Sequence, residues 1–163
     1  MTLHTLRRLG ATALTTAIMI VTLTALAGPS DATSRHQPRV DSIARAMSTV
    51  MAQQGDPYLY GAEGPNAFDC SGLVQYSYAR AGLTMPRTAD DQYRHVRHIR
   101  KINLQRGDFL YWHDGSHVFH TAVFAGRHGG TGWVWEAAHT GTNVGLHRVW
   151  DAPRWAGTLR IKR

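Results

Sequence analysis

His117 to Ala138 reads HVFHTAVFAGRHGGTGWVWEAA. Two runs rich in β-formers stand on either side of a short polar, glycine-rich segment, the pattern of an antiparallel hairpin. Working outward, GDFLYW (107–112), NVGLHRV (143–149) and GTLRIKR (157–163) are also short, β-rich and separated by Gly or polar turns. Upstream the period changes. In DSIARAMSTVMAQQG (41–55), Ile43, Ala44, Met47, Val50 and Met51 recur at helical spacing behind Asp41 as a candidate N-cap, and Gly55 ends the run. The turn-rich DPYLYGAEGPNA (56–67) follows, then a second helix ending at Gly82. RTADDQYRHVRHI (87–99) reads as a short helix capped by Thr88. Helices first and strands later predict an α+β domain, with N-terminal helices packed on a C-terminal antiparallel sheet.

The first residues differ from the rest. MTLHTLRR is basic, and LGATALTTAIMIVTLTALA (9–27) is apolar and uncharged. Ala25-Leu26-Ala27 offers a small-residue cleavage site, and Ser30-Asp31-Ala32 a second. This predicts a secretory signal peptide over 1–27; the interleaved threonines and the A-x-A favour cleavage over retention as a membrane anchor. Residues 28–40, polar and Pro/Ser-rich, read as a disordered connector, and one domain over 41–163 follows. The net charge is +7; cleavage after Ala27 removes Arg7 and Arg8 and no acid, leaving 16 basic residues against 11 acidic, about +5. Such a chain is drawn to anionic surfaces such as cell-wall polymers. Nucleic acid is not expected, because the positives are scattered, with no basic helix or stacking platform.

Cys70 is the only cysteine among 163 residues. In an exported chain it has no partner for an internal disulfide, so it is an inert buried residue, an intermolecular link or a reactive thiol. Its neighbours favour the last. Asp69 is a good N-cap, which makes Cys70 the first helical residue, beside free N–H groups and the positive end of the helix. An unperturbed thiol is only a few per cent ionised at neutral pH; bringing one from about 8.5 to about 5 takes roughly 4–5 kcal/mol. A helix end contributes about 0.3–1 kcal/mol, so a histidine within reach must supply the rest.

The chain has ten histidines. His4 precedes the expected cleavage site, His36 is in the connector, and His95 and His98 fall in a polar helix. His113, His117 and His120 resemble a metal cluster in spacing, but Gly115 and the β-rich context argue against a helix there, and residues three apart in a strand face opposite ways. No metal is expected. His120 opens the apolar strand HTAVFAG, where a rigid element would hold its ring. Glu136 and His139 on the next strand are also three apart, so one of them shares the face of His120. A hairpin centred on His128 sets Glu136 opposite; a tight turn on Gly129-Gly130 sets His139 opposite. An acid inside WVWEAA is costly without a partner, which favours Glu136.

PYLYGAEGPNAFDCSGLVQYSYARAGLTMPRTADDQ (57–92), LQRGDFLYW (104–112) and HTAVFAG (120–126), in this order, resemble the NlpC-type peptidoglycan endopeptidases over about Asp41 to Arg163. The resemblance implies a reduced papain-like α+β fold with Cys70 as nucleophile and His120 as base. Glu136, just before Ala137, falls at the third catalytic position, with His139 as the alternative because the hairpin is longer than usual. Tyr58, Asp69, Ser71 and Arg87 are implied to line the substrate site. Ala62 stands where the family usually has a second glycine. The implied substrate is a stem peptide of peptidoglycan, cut between γ-D-glutamate and diaminopimelate or lysine. Alternatives are an amidase or acyltransferase using the same pair on another amide, and a catalytically dead wall-binding module. No cofactor is implied; a monomer free of the membrane after cleavage is expected.

Overall fold

A computed structural model describes residues 31–160 of the protein. The signal peptide expected over 1–27 lies outside the described residues. Helix α1 runs Asp31–Ala52, so it starts at Asp31 rather than Asp41, and residues 31–40, read as a disordered connector, are helical. Those residues carry no apolar stripe, which is what the sequence reading relied on. A helix nucleated by Ile43 to Met51 extends at little cost per residue into the polar stretch before it. The buried stripe of α1 is Ile43, Ala46, Met47 and Val50; Ala44 and Met51 face solvent.

Helix α2 (Cys70–Ala79) and helix α3 (Ala89–His95) follow. Asp69 caps α2 by accepting from the Gly72 N–H, and Thr88 caps α3 by accepting from that of Asp91. The short helix read over 87–99 ends earlier than expected. Val96 leaves the helical conformation and is buried, and Arg97–Ile99 forms strand β1. Its partner is the last strand, with Arg97 opposite Thr158, a pairing too distant in sequence to be read locally. A 3₁₀ turn, Lys101–Asn103, leads into β2 (Phe109–His113), β3 (Val118–His128), β4 (Thr131–Glu136), β5 (Gly145–Arg148) and β6 (Arg154–Thr158).

The six strands form one antiparallel sheet in the order β1-β6-β2-β3-β4-β5. This is the α+β architecture expected. Both faces are buried. Phe109 and Tyr111 of β2, with Val123 and Trp135, meet Ile43, Met47, Leu73, Val74 and Tyr78 from the helices. The alternate residues Leu110 and Trp112 join Ala122, Phe124, Val134 and Ala156 on the other face, under Ile99, Leu104, Val149 and Ala152. Burial on both faces explains why FLYW reads as a continuous apolar run rather than an alternating one. The fully buried Tyr78 fixes α2 to the sheet side by donating to the Gly107 carbonyl at 2.8 Å.

Candidate active site

Cys70 is the first residue of α2, where the sequence placed it. Its neighbour Asp69 is a buried carboxylate that ties the preceding loop, the head of α2 and the segment before α3 together. It accepts from the N–H groups of Gly72 (2.7 Å) and Gly61 (3.0 Å) and from the Ser71 hydroxyl (3.2 Å). Arg87 approaches it with both terminal nitrogens, at 3.0 and 2.6 Å, and also donates to Ser71 (2.8 Å) and Glu63 (2.9 Å). Burial alone would raise the Asp69 pKa; the Arg87 bonds and charge and the backbone donors outweigh it and hold the carboxyl below its usual range. Gly72 lets the preceding loop close over the helix, since a Cβ there would stand 2.1 Å from the Ala62 carbonyl oxygen. Tyr58, Asp69, Cys70, Ser71 and Arg87 line one cleft of about 710 Å³. All four residues that the resemblance assigned to the substrate site are therefore gathered around Cys70. Burial raises the Tyr58 hydroxyl pKa, and the facing charges of Cys70 and Asp69 raise it further.

His120 arrives from the sheet. A β-bulge at Phe119 lets Trp112 pair with His120 while His113 pairs with Val118. Val118 thus turns into the helical core, and Phe119 stays half-exposed at the rim of the cleft. The partner of His120 is decided by a second bulge. The hairpin turn falls on Gly129 and Gly130, whose positive φ angles of 55° and 78° suit a two-residue turn. His128 accordingly pairs with Thr131 and Gly126 with Trp133. Continued unchanged, this register would bring His139 across from His120 and turn Glu136 to the other face. Ala125, however, is left without a partner, and beyond it Phe124 pairs with Val134 and Val123 with Trp135. The one-residue shift reverses the face of every later position.

Glu136 therefore shares the face of His120, and its Oε2 lies 2.6 Å from the His120 Nε2. Both groups are buried. His139 instead keeps to its own loop, with Nδ1 2.9 Å from the Thr140 carbonyl oxygen. With Nε2 held by Glu136, the Nδ1 of His120 is the nitrogen left to face Cys70, which is near enough to act on the ring's pKa. Burial pulls the imidazole pKa down, but the bonds and negative charges of Cys70 and Glu136 prevail and raise it to about 9. Beside this pair Trp112 and Trp150 stack at 4.8 Å, and Phe119, Trp150 and His139 enclose a smaller cavity of about 280 Å³.

Of the other histidines, His98 stacks on Tyr93 and His113 on Trp155, both on ring faces rather than around a common centre. Two residues at the site escaped the sequence reading. Glu63 reaches Arg87, and His147 reaches the second oxygen of Glu136 at 3.2 Å. Neither spacing nor composition marks them. Each contact depends on a loop closure or a strand pairing.

A thiol at a helix N-terminus, facing a buried imidazole–carboxylate pair on an adjoining sheet, defines the class of papain-like Cys–His folds. Within that class the chain belongs to the NlpC/P60 family, whose model matches residues 55–159. It is 34% identical over 92 residues to the bifunctional muramidase/DL-endopeptidase CwlT of Bacillus subtilis, a match covering 54% of this chain and 28% of that protein. It is 36% identical over 95 residues to a probable endopeptidase of Corynebacterium glutamicum, covering 58% of this chain and 43% of that one. The chain thus spans less than half the length of these two relatives. The solved structure of the peptidoglycan hydrolase RipB of Mycobacterium tuberculosis is similar with a TM-score of 0.67 and 26% identity, covering 84% of this chain and 74% of that one.

Proposed function

We propose that the protein is an exported cysteine endopeptidase of the bacterial cell wall that cuts peptidoglycan stem peptides between γ-D-glutamate and diaminopimelate or lysine. The observation that carries this reading is the buried His120–Glu136 contact of 2.6 Å, on the ring that also meets Cys70 at the head of α2. The family membership and the wall hydrolases among its relatives supply the substrate class. The basic charge, +7 over the chain, suits a protein that works among anionic wall polymers.

The steps follow from the groups present. The Cys70 thiolate attacks the scissile carbonyl carbon, a C–S bond forms, and the carbonyl oxygen takes the negative charge. The Cys70 N–H and a neighbouring donor stabilise that oxyanion at the helix end. The C–N bond then breaks as the His120 imidazolium gives its proton to the leaving amine. Water next attacks the thioester while His120 takes a proton from it. The acid product leaves and the thiolate–imidazolium pair is restored. Glu136 holds the ring in one orientation and favours its charged form. Tyr58, Asp69, Ser71 and Arg87 line the cleft beside Cys70 and receive the stem peptide.

Mass spectrometry of digested muropeptides tests the reading. Fragments with a free γ-D-glutamate end are expected. Stem peptides released whole would place the cut at the N-acetylmuramoyl–L-alanine amide and overturn the assignment of the bond. An unchanged digest, with Cys70 unreactive to iodoacetamide at neutral pH, would mark a wall-binding module instead.

A further inference from the structure

Glu136 is held by two histidines. Its Oε2 takes Nε2 of His120, and its Oε1 lies 3.2 Å from Nδ1 of His147 on β5. The carboxylate is 3% exposed, so solvent is not at hand to satisfy the second oxygen. A carboxylate only accepts, so the Nδ1 of His147 carries the proton in this contact. With one oxygen free, the terminal torsion of a glutamate is broad and the group can turn away from the imidazole it should orient.

A second feature of the backbone serves the same contact. The β4–β5 register sets Gly145 directly opposite Glu136. A Cβ at position 145 would stand 3.0 Å from Nε2 and 3.2 Å from Cε1 of His147. The bare glycine leaves room for the His147 ring against the strand; a Cβ there would crowd it and make it give by a few tenths of an ångström.

We propose that His147 is a positioning residue of the active site, donating from Nδ1 to Glu136 Oε1 so that Oε2 stays on His120. The proposal rests on the reading of Cys70, His120 and Glu136 given above. The titratable groups around this carboxylate, among the described residues, are His120 on β3, His147 on β5 and His139 across the small cavity. The His147 side chain is half-exposed, while the carboxylate it meets is buried. The neutral ring and the imidazolium can both donate from Nδ1, so the contact persists through the neutral range.

The test is steady-state kinetics on a soluble muropeptide with His147→Phe, His147→Gln and Gly145→Ala, beside Cys70→Ala as control. His147→Phe keeps the ring and loses the donor; kcat is expected to fall about tenfold, the scale on which a partner of a partner acts, with KM within about twofold. The high-pH limb of its profile moves down, because a Glu136 free to turn lends less to the His120 proton. His147→Gln restores a donor and most of the rate. Gly145→Ala displaces the ring and lowers kcat in the same direction. A His147→Phe variant with the wild-type kcat and limb, or a Gln variant no better than Phe, overturns the inference while an inactive Cys70→Ala leaves the catalytic reading standing. An active Cys70→Ala overturns both.

Discussion

The chemistry is set by how two side-chain charges are shared. Burial alone would lower the His120 pKa; the bond and charge of Cys70 and those of Glu136 outweigh it and raise the pKa to about 9. The ring is thus an acid across the neutral range, ready to protonate a leaving amine. Activity is expected to fall as pH rises through about 9, and Glu136→Gln, which removes one of the groups that raise this value, shifts that limb to lower pH; a pH profile of kcat/KM reads both. The linked effect on stability has the same sign. A raised imidazole contributes stability that is complete below its ordinary value of about 6.5 and is lost as pH climbs through about 9. Asp69 behaves in the opposite sense, with its carboxyl held low by Arg87 and backbone donors. Asp69→Asn keeps an oxygen for the Gly72 N–H but gives up the two-pronged Arg87 contact. A loss of about 1–2 kcal/mol is expected for these charge-assisted bonds, read as a lower urea midpoint.

At the scale of elements, two bulges in β3 do what propensity cannot. The one at Phe119 separates a core residue, Val118, from the imidazole of the proposed site, His120, two positions on. The one at Ala125 decides which of two polar residues meets the imidazole. Deleting Ala125 should join Phe124 directly to Gly126, keep Phe124 opposite Val134 and so leave Glu136 on the face of His120; a folded variant that retains activity is expected, with circular dichroism checking the sheet, and an inactive but folded variant would contradict this account of the register. The same detail shows the limit of sequence reading. The helix–sheet order, the Asp69 cap and the thiol at the start of α2 were legible, because each is a local pattern of residue types. The turn residues were legible too, yet the turn alone points to His139. A bulge is a response to twist and packing on both sheet faces, and nothing in HTAVFAG marks Ala125 as the residue without a partner. Strand β1 and the contact of His147 with Glu136 were hidden for the same reason, since their partners lie in other strands. The early start of α1 was missed because a polar helix has no apolar period to read.

For the whole molecule, the proposed exported form carries about +5, with 16 basic residues against 11 acidic, so the attraction to anionic wall polymers it predicts is electrostatic and is screened over about 10 Å at 0.1 M salt. Co-sedimentation with purified wall is expected to weaken steeply as salt rises, whether or not Cys70 is intact; salt-independent retention would point to apolar or stereospecific binding instead. The proposed catalysis is a separate property, assigned to the place where the head of α2 meets β3 and β4. The measurement that tests it most directly is digestion of purified peptidoglycan by the wild-type protein and by Cys70→Ala, with the released fragments identified by mass spectrometry. The wild type should release stem-peptide fragments ending in γ-D-glutamate and Cys70→Ala none, while still sedimenting with the wall. Full release by the Cys70→Ala protein would contradict the account.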